Sequence, residues 1–204
     1  GSTPEFSMNL AVLISGRGTN LQAIMDAIEA GTLDASIGLV VSNRGRAYGL
    51  QRAQHAGIPT LYFPFRPYKQ RGDSRETYDR ELASLITTFQ PDLLVLAGWM
   101  HILSPIFLDQ FPGRVINLHP ALPGMFPGTG AVERAYEAWH MGGINVSGCM
   151  IHYAVPEVDA GPVIVVETVP FREGDTLESY KERLHAAEHR IIVEAIRRII
   201  TERT

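Results

Sequence analysis

The stretch NLAVLISGRGTNLQAIMDAIEAG, residues 9–31, holds three readings in a row. NLAVLISG (9–16) is an apolar run ending in glycine, which suits a buried strand. SGRGTN (15–20) is a glycine-rich turn. LQAIMDAIEAG (21–31) repeats its apolar residues at helical spacing and stops at glycine. The same alternation continues outward. SIGLVVSN (36–43), TLYFP (60–64), DLLVLAGW (92–99) and RVINLH (114–119) read as strands. AYGLQRAQHAG (47–57), RETYDRELASLITTF (75–89) and AVERAYEAWHMG (131–142) read as helices. VSGCMIHYAV (146–155) and PVIVVETVPF (162–171) alternate polar and apolar residues like an antiparallel pair. A long helix over 176–203 closes the chain, with Asp175 and Glu178 resembling a capping pair. Strand and helix in turn predict an α/β fold: one domain, Rossmann-like, with a mostly parallel twisted sheet, helices on both faces and a long C-terminal helix. In such sheets ligands bind beyond the carboxyl ends of the strands.

Composition narrows the function. The chain has 204 residues, 45% hydrophobic and 20% charged, which suits one globular domain. Residues 1–7, GSTPEFS, resemble a vector remnant before Met8 and are set aside. The net charge of −4 supplies no basic field to recruit nucleic acid. No apolar run is long enough for a bilayer span, and no signal peptide precedes Met8, so no membrane association is expected. The single cysteine, Cys149, excludes an internal disulfide and a multi-cysteine zinc site, and points to a cytoplasmic protein.

Several motifs carry chemistry. SGRGTN lacks the third glycine of a dinucleotide fingerprint, and the second strand ends in SNRGR with no acid. It also lacks a Walker lysine. A single phosphate at a helix N-terminus or a plain turn remain as readings. VINLHPALPG (115–124) places Asn117 and His119 on one face of a strand that Pro120 ends. The choice there is between two solvated polar groups and a catalytic pair. LAGWMHILSP (96–105) offers Trp99, Met100, Ile102 and Leu103 either to the core or to a flat heteroaromatic ring. Asp159 lies in a turn, YAVPEVDAGPVI (153–164), that can aim it inward or leave it solvated. His185, Glu188 and His189 share neighbouring positions of the last helix; a polar face outweighs a metal site there, because no further ligand is evident. His152, inside an apolar strand, reads as a satisfied core histidine.

Together these segments resemble the folate-dependent phosphoribosylglycinamide formyltransferases of purine synthesis, over nearly all of 8–204, which would be one formyltransferase domain. AVLISGRGTNLQAI resembles the family's phosphate loop and LAGWMHILSP its folate segment. INLHPALPGMFPGTGAVERAYEAW carries the Asn-x-His-Pro signature, GCMIHYAVPEVDAGPVI the aspartate loop, and ERLHAAEH the late glutamate. The resemblance implies formyl transfer from 10-formyltetrahydrofolate, a cosubstrate, to the amine of glycinamide ribonucleotide, with no metal. It implies catalytic roles for Asn117, His119 and Asp159, with Asp159 favouring the charged form of His119. Gly18, Thr19, Asn20 and Glu188 would hold the ribotide. Arg75 would meet the folate glutamate, and Trp99, Met100, His101, Ile102 and Leu103 would flank the pterin. The loop after His119 departs from the usual pattern, Gly130 stands where many members carry histidine or asparagine, and His101 replaces a frequent arginine.

Rival functions share the domain. A methionyl-tRNA formyltransferase normally adds a C-terminal RNA-binding domain, and a formylfolate hydrolase an N-terminal regulatory one; a nucleotide-sugar formyltransferase is a third. A non-catalytic nucleotide-binding module would not need Asn117, His119 and Asp159. The partners expected are two small molecules, with no nucleic acid and no membrane, acting on a monomer or homodimer.

Overall fold

The computed structural model describes residues 7–204, so the stretch read as vector remnant lies outside it except for Ser7. In chain order the elements are β1 (Met8–Ile14), α1 (Thr19–Glu29), β2 (Ala35–Ser42), α2 (Tyr48–His55), β3 (Thr60–Tyr62), α3 (Arg66–Gln70), α4 (Arg75–Thr87), β4 (Leu93–Leu96), α5 (Pro105–Leu108), β5 (Val115–His119), α6 (Ala131–His140), β6 (Val146–Tyr153), β7 (Val163–Pro170) and α7 (Leu177–Arg203). The seven strands form one sheet in the order β3-β2-β1-β4-β5-β6-β7. β1 to β5 pair in parallel, while β5–β6 and β6–β7 pair antiparallel. The expected mixed α/β sheet is therefore present.

Strand alternation explains the two layers. Leu10, Val12 and Ile14 of β1 face the cluster packed by α1, α2 and α7, whereas Ala11 and Leu13 face the cluster packed by α4 and α5. Each fully buried Leu or Ile contributes roughly 1.5–3 kcal/mol through water exclusion. β1 lies between β2 and β4, so the chain reverses its direction of sheet growth there. The carboxyl ends of β1, β4 and β5 open a crevice at that point.

Three local differences have physical causes. β4 ends at Leu96 rather than continuing to Trp99, because Gly98 adopts φ 89 and turns the chain out of the ladder. α3 and α5 are short turns led by Pro67 and Pro105, too short to show helical periodicity. At the start of α7 the cap is Thr176 with Ser179, each side chain accepting from the other residue's backbone N–H. Asp175 instead accepts from Arg183 at 2.7 and 2.8 Å, and Glu178 is not part of the cap.

Candidate active site

β5 ends with Asn117 and His119 on the face away from α7, as period two requires. Antiparallel pairing sets His152 of β6 directly opposite Asn117. The loop between β6 and β7 then delivers Asp159 to both. Asn117 Nδ2 donates to Asp159 Oδ1 at 3.0 Å and lies 3.1 Å from His152 Nε2. His119 Nδ1 stands 3.3 Å from Asp159 Oδ2, and His152 Nε2 stands 3.5 Å from Oδ1. His152 Nδ1 is 2.9 Å from its neighbour's carbonyl, Tyr153 O, which can only accept. The proton therefore sits on Nδ1, and Nε2 accepts from Asn117. His152 is buried and hydrogen-bonded as expected, but it is also part of this cluster. Only the β5–β6 register could have revealed that.

Two loops brace Asp159. The backbone N–H of Gly128 donates to Asp159 Oδ2 at 3.0 Å, joining the loop after β5 to the loop after β6. Arg134 Nη2 donates to the carbonyls of Phe126, Pro127 and Thr129 at 3.0, 2.7 and 2.9 Å, which fixes the path of the unusual loop after His119. Gly130 caps α6 with φ 67, a conformation that disfavours any side chain there. Asp159 itself has φ 53, which aspartate tolerates better than most residues. A Cβ at Gly161 would stand 1.7 Å from Tyr153 O, so only glycine lets this loop fold back on β6.

Asp159 acts on His119 in the expected direction, toward the charged form, but burial acts the other way and is the larger effect, so the pKa of His119 is lowered. His119 is thus neutral at neutral pH, with Nδ1–H toward Asp159. Its Nε2 then faces Met125 O at 3.3 Å, an acceptor opposite an unprotonated nitrogen, and gaining a proton would relieve this. For Asp159, burial pushes upward, but the Gly128 N–H and His119 outweigh it and hold the carboxyl below its usual range.

The cluster lies in a cleft of about 530 Å³. At one end is the N-terminus of α1. Gly18 precedes it with φ 74, and a Cβ there would meet Gly49 Cα at 2.6 Å, so two glycines are needed for this turn to pack on α2. Asn20 and Glu188 line the cleft; Gly18 and Thr19 lie outside its lining, at the head of the helix. Ser15, unremarked in the sequence, ties the strand ends together: its hydroxyl donates to Asn43 Oδ1 at 2.7 Å and accepts from Met100 N at 2.9 Å. Glu188 is 6% exposed, and burial pushes its carboxyl up to about 7. Glu188 Oε2 and Asn20 Oδ1 have no hydrogen-bond partner among the described residues.

At the other end, Trp99 and Leu103 join the α4–α5 core, while Met100 and Ile102 are 55% and 65% exposed. The segment is thus divided between core and cleft. The His101 ring packs edge-on against Trp99 at 5.6 Å and Tyr78 at 6.1 Å. Arg75 lies outside the cleft lining, its guanidinium 4.7 Å from the Phe65 ring centre. Among the described residues no group of three or more His, Cys, Asp or Glu is placed to hold a metal ion, and no helix is long and apolar enough to cross a membrane.

The chain that folds into this Rossmann-like sheet, with its Asn, His and Asp cluster at the end of β5, matches one family over residues 8–196, formyl transferase. The chain belongs to that family. Among its relatives, the phosphoribosylglycinamide formyltransferase of Schizosaccharomyces pombe is 50% identical over 202 residues, spanning 95% of this chain and 98% of the relative. The Escherichia coli protein of the same name is 41% identical across 90% of this chain and 83% of its own length. The crystal structure of glycinamide ribonucleotide transformylase 1 from Symbiobacterium toebii superposes with a TM-score of 0.88 at 40% identity, covering 97% of this chain and 91% of that one.

Proposed function

We propose that the chain transfers the formyl group of 10-formyltetrahydrofolate to the amine of glycinamide ribonucleotide, as a cytoplasmic enzyme of purine synthesis. The observation that carries this reading is the position of the Asn117–His119–Asp159 cluster. It sits between an anion-ready helix N-terminus with Glu188 and an exposed apolar ledge, Met100 and Ile102.

The amine nitrogen attacks the formyl carbon, and the carbonyl electrons move onto oxygen. Neutral His119 takes the amine proton at Nε2, the nitrogen not held by Asp159. The imidazolium then gains a hydrogen bond to a carbonyl or oxyanion and the charge of Asp159. Asn117 releases its bond to His152 and donates to the oxyanion. Collapse re-forms the carbonyl and breaks the bond to the folate nitrogen, which receives the proton from His119. The products are formylglycinamide ribonucleotide and tetrahydrofolate. Each step moves only protons already in the two substrates, so the chemistry requires no metal.

Phosphate would sit on the N–H groups of Gly18, Thr19 and Asn20. Ribose hydroxyls would donate to the unpartnered oxygens of Glu188 and Asn20. The pterin would lie on Trp99, Met100, His101, Ile102 and Leu103, with Arg75 meeting the glutamate. A monomer or homodimer suffices, with no nucleic acid or membrane. The test is turnover of 10-formyltetrahydrofolate with and without glycinamide ribonucleotide. Ribotide-dependent release of tetrahydrofolate is expected; equal turnover without the amine would make the protein a hydrolase, and none at all a binding module.

A further inference from the structure

We propose that Asp79 is a positioning residue that links the folate tail site at Arg75 to the shape of the pterin slot. The inference rests on the folate reading above and concerns a residue outside the cleft.

Asp79 lies on α4 and is fully buried. Its two oxygens point to different parts of the proposed folate site. Oδ2 accepts the backbone N–H of Ser104 at 2.8 Å, which anchors the far end of the 99–104 segment to α4. Oδ1 stands 3.6 Å from Arg75 Nε, one helical turn earlier. That distance is ion-pair contact, but too long for a hydrogen bond. Oδ1 and Arg75 Nε are both buried and lack a hydrogen-bond partner among the described residues. A buried, half-satisfied carboxylate is costly unless something uses it.

Arg75 is set up to be that something. Phe65 and Tyr78 hold its guanidinium at 4.7 and 5.3 Å from their ring centres. Nε turns inward to Asp79 without reaching hydrogen-bond distance, and the side chain makes no hydrogen bond among the described residues. This leaves the terminal fork for a bidentate carboxylate, the geometry guanidinium prefers. When the tail carboxylate docks, Nε closes on Oδ1. The carboxylate that receives it is the one holding Ser104, so tail and pterin sites share one rigid post. Folates with a glutamate tail are then selected over those without it.

Two substitutions separate the two arms. Asp79→Asn keeps an oxygen for Ser104 N–H but turns an amide N–H₂ toward Arg75. Ser104→Pro removes the N–H, at a residue whose φ of −74 proline already matches, and leaves Arg75 and Asp79 intact. Bind 10-formyl-5,8-dideazafolate and its analogue lacking glutamate by calorimetry, and titrate glycinamide ribonucleotide beside them. Asp79→Asn is expected to weaken the tailed folate roughly tenfold and the tailless one hardly at all. Ser104→Pro is expected to weaken both folates. Ribotide affinity should hold in both variants. Equal loss on both folates in Asp79→Asn, no loss on either, or a loss on the ribotide overturns the proposal while leaving the folate reading standing. Failure of the unsubstituted protein to bind either folate overturns both.

Discussion

Glu188→Gln is expected to make the free protein more stable and its ribotide complex weaker. The Glu188 carboxyl is buried beside the cleft, Oε2 is unpartnered, and burial moves its pKa from about 4.5 up to about 7. His185 Nε2 is 3.8 Å away but gives little help, because its own burial, then Lys181 and Arg17, keep that ring below its ordinary pKa. The folded pKa is the higher one, so the folded chain binds the extra proton. The contribution of this group to stability is therefore full below about pH 4.5 and is lost as pH rises through about 7. A shift of that size corresponds to roughly 3 kcal/mol. Glutamine resembles the protonated acid and does not titrate. The variant should match the parent near pH 4.5 and exceed it by roughly 3 kcal/mol at pH 8, on the order of 6–12 °C in Tm for a chain of this length. The same change removes the charged acceptor proposed for the ribose hydroxyls and should weaken the ribotide by tenfold or more. Unfolding in denaturant at pH 5 and pH 8, with and without ribotide, reads both effects. A stability gap equal at the two pH values would show that Glu188 is not the raised group. Undiminished ribotide affinity would remove it from the ribose site.

Asn117→Ala should retain the fold and both substrates but lower kcat by about 10²–10³, the usual loss of one oxyanion donor; a near-normal single-turnover rate would exclude the residue from the chemistry. Asp159→Asn should cut kcat steeply, because its N–H₂ would oppose either the Asn117 amide or the Gly128 N–H and the imidazolium would lose its counter-charge. In that variant the His119 titration, already lowered, should fall further, since the carboxylate acts to raise it; an NMR titration that does not move would refute the pairing. Thr19→Asp should raise the ribotide KM sharply by placing a carboxylate on the α1 N–H groups, while a dephosphorylated substrate should respond far less.

Much of this was legible in one dimension because it depends on local rules. Strand period two puts Asn117 and His119 on one face whatever surrounds them, and Pro120 ends their strand. A glycine turn between an apolar run and an amphipathic helix made 9–31 the first βα unit. Local pattern also misled. Asp175 and Glu178 have the spacing of a cap, yet Arg183, two turns into α7, takes Asp175 and leaves capping to Thr176 and Ser179. The sequence alone determined the α/β class, the strand end and the pair upon it. Tertiary structure decided the remainder. It placed Asp159 against residues 42 positions earlier. It made His152 a member of the cluster through the register of β6 on β5, and it left His119 neutral because burial outweighs the carboxylate beside it. Charge, burial and register depend on what the rest of the chain brings within a few ångströms, and no spacing along the sequence records that.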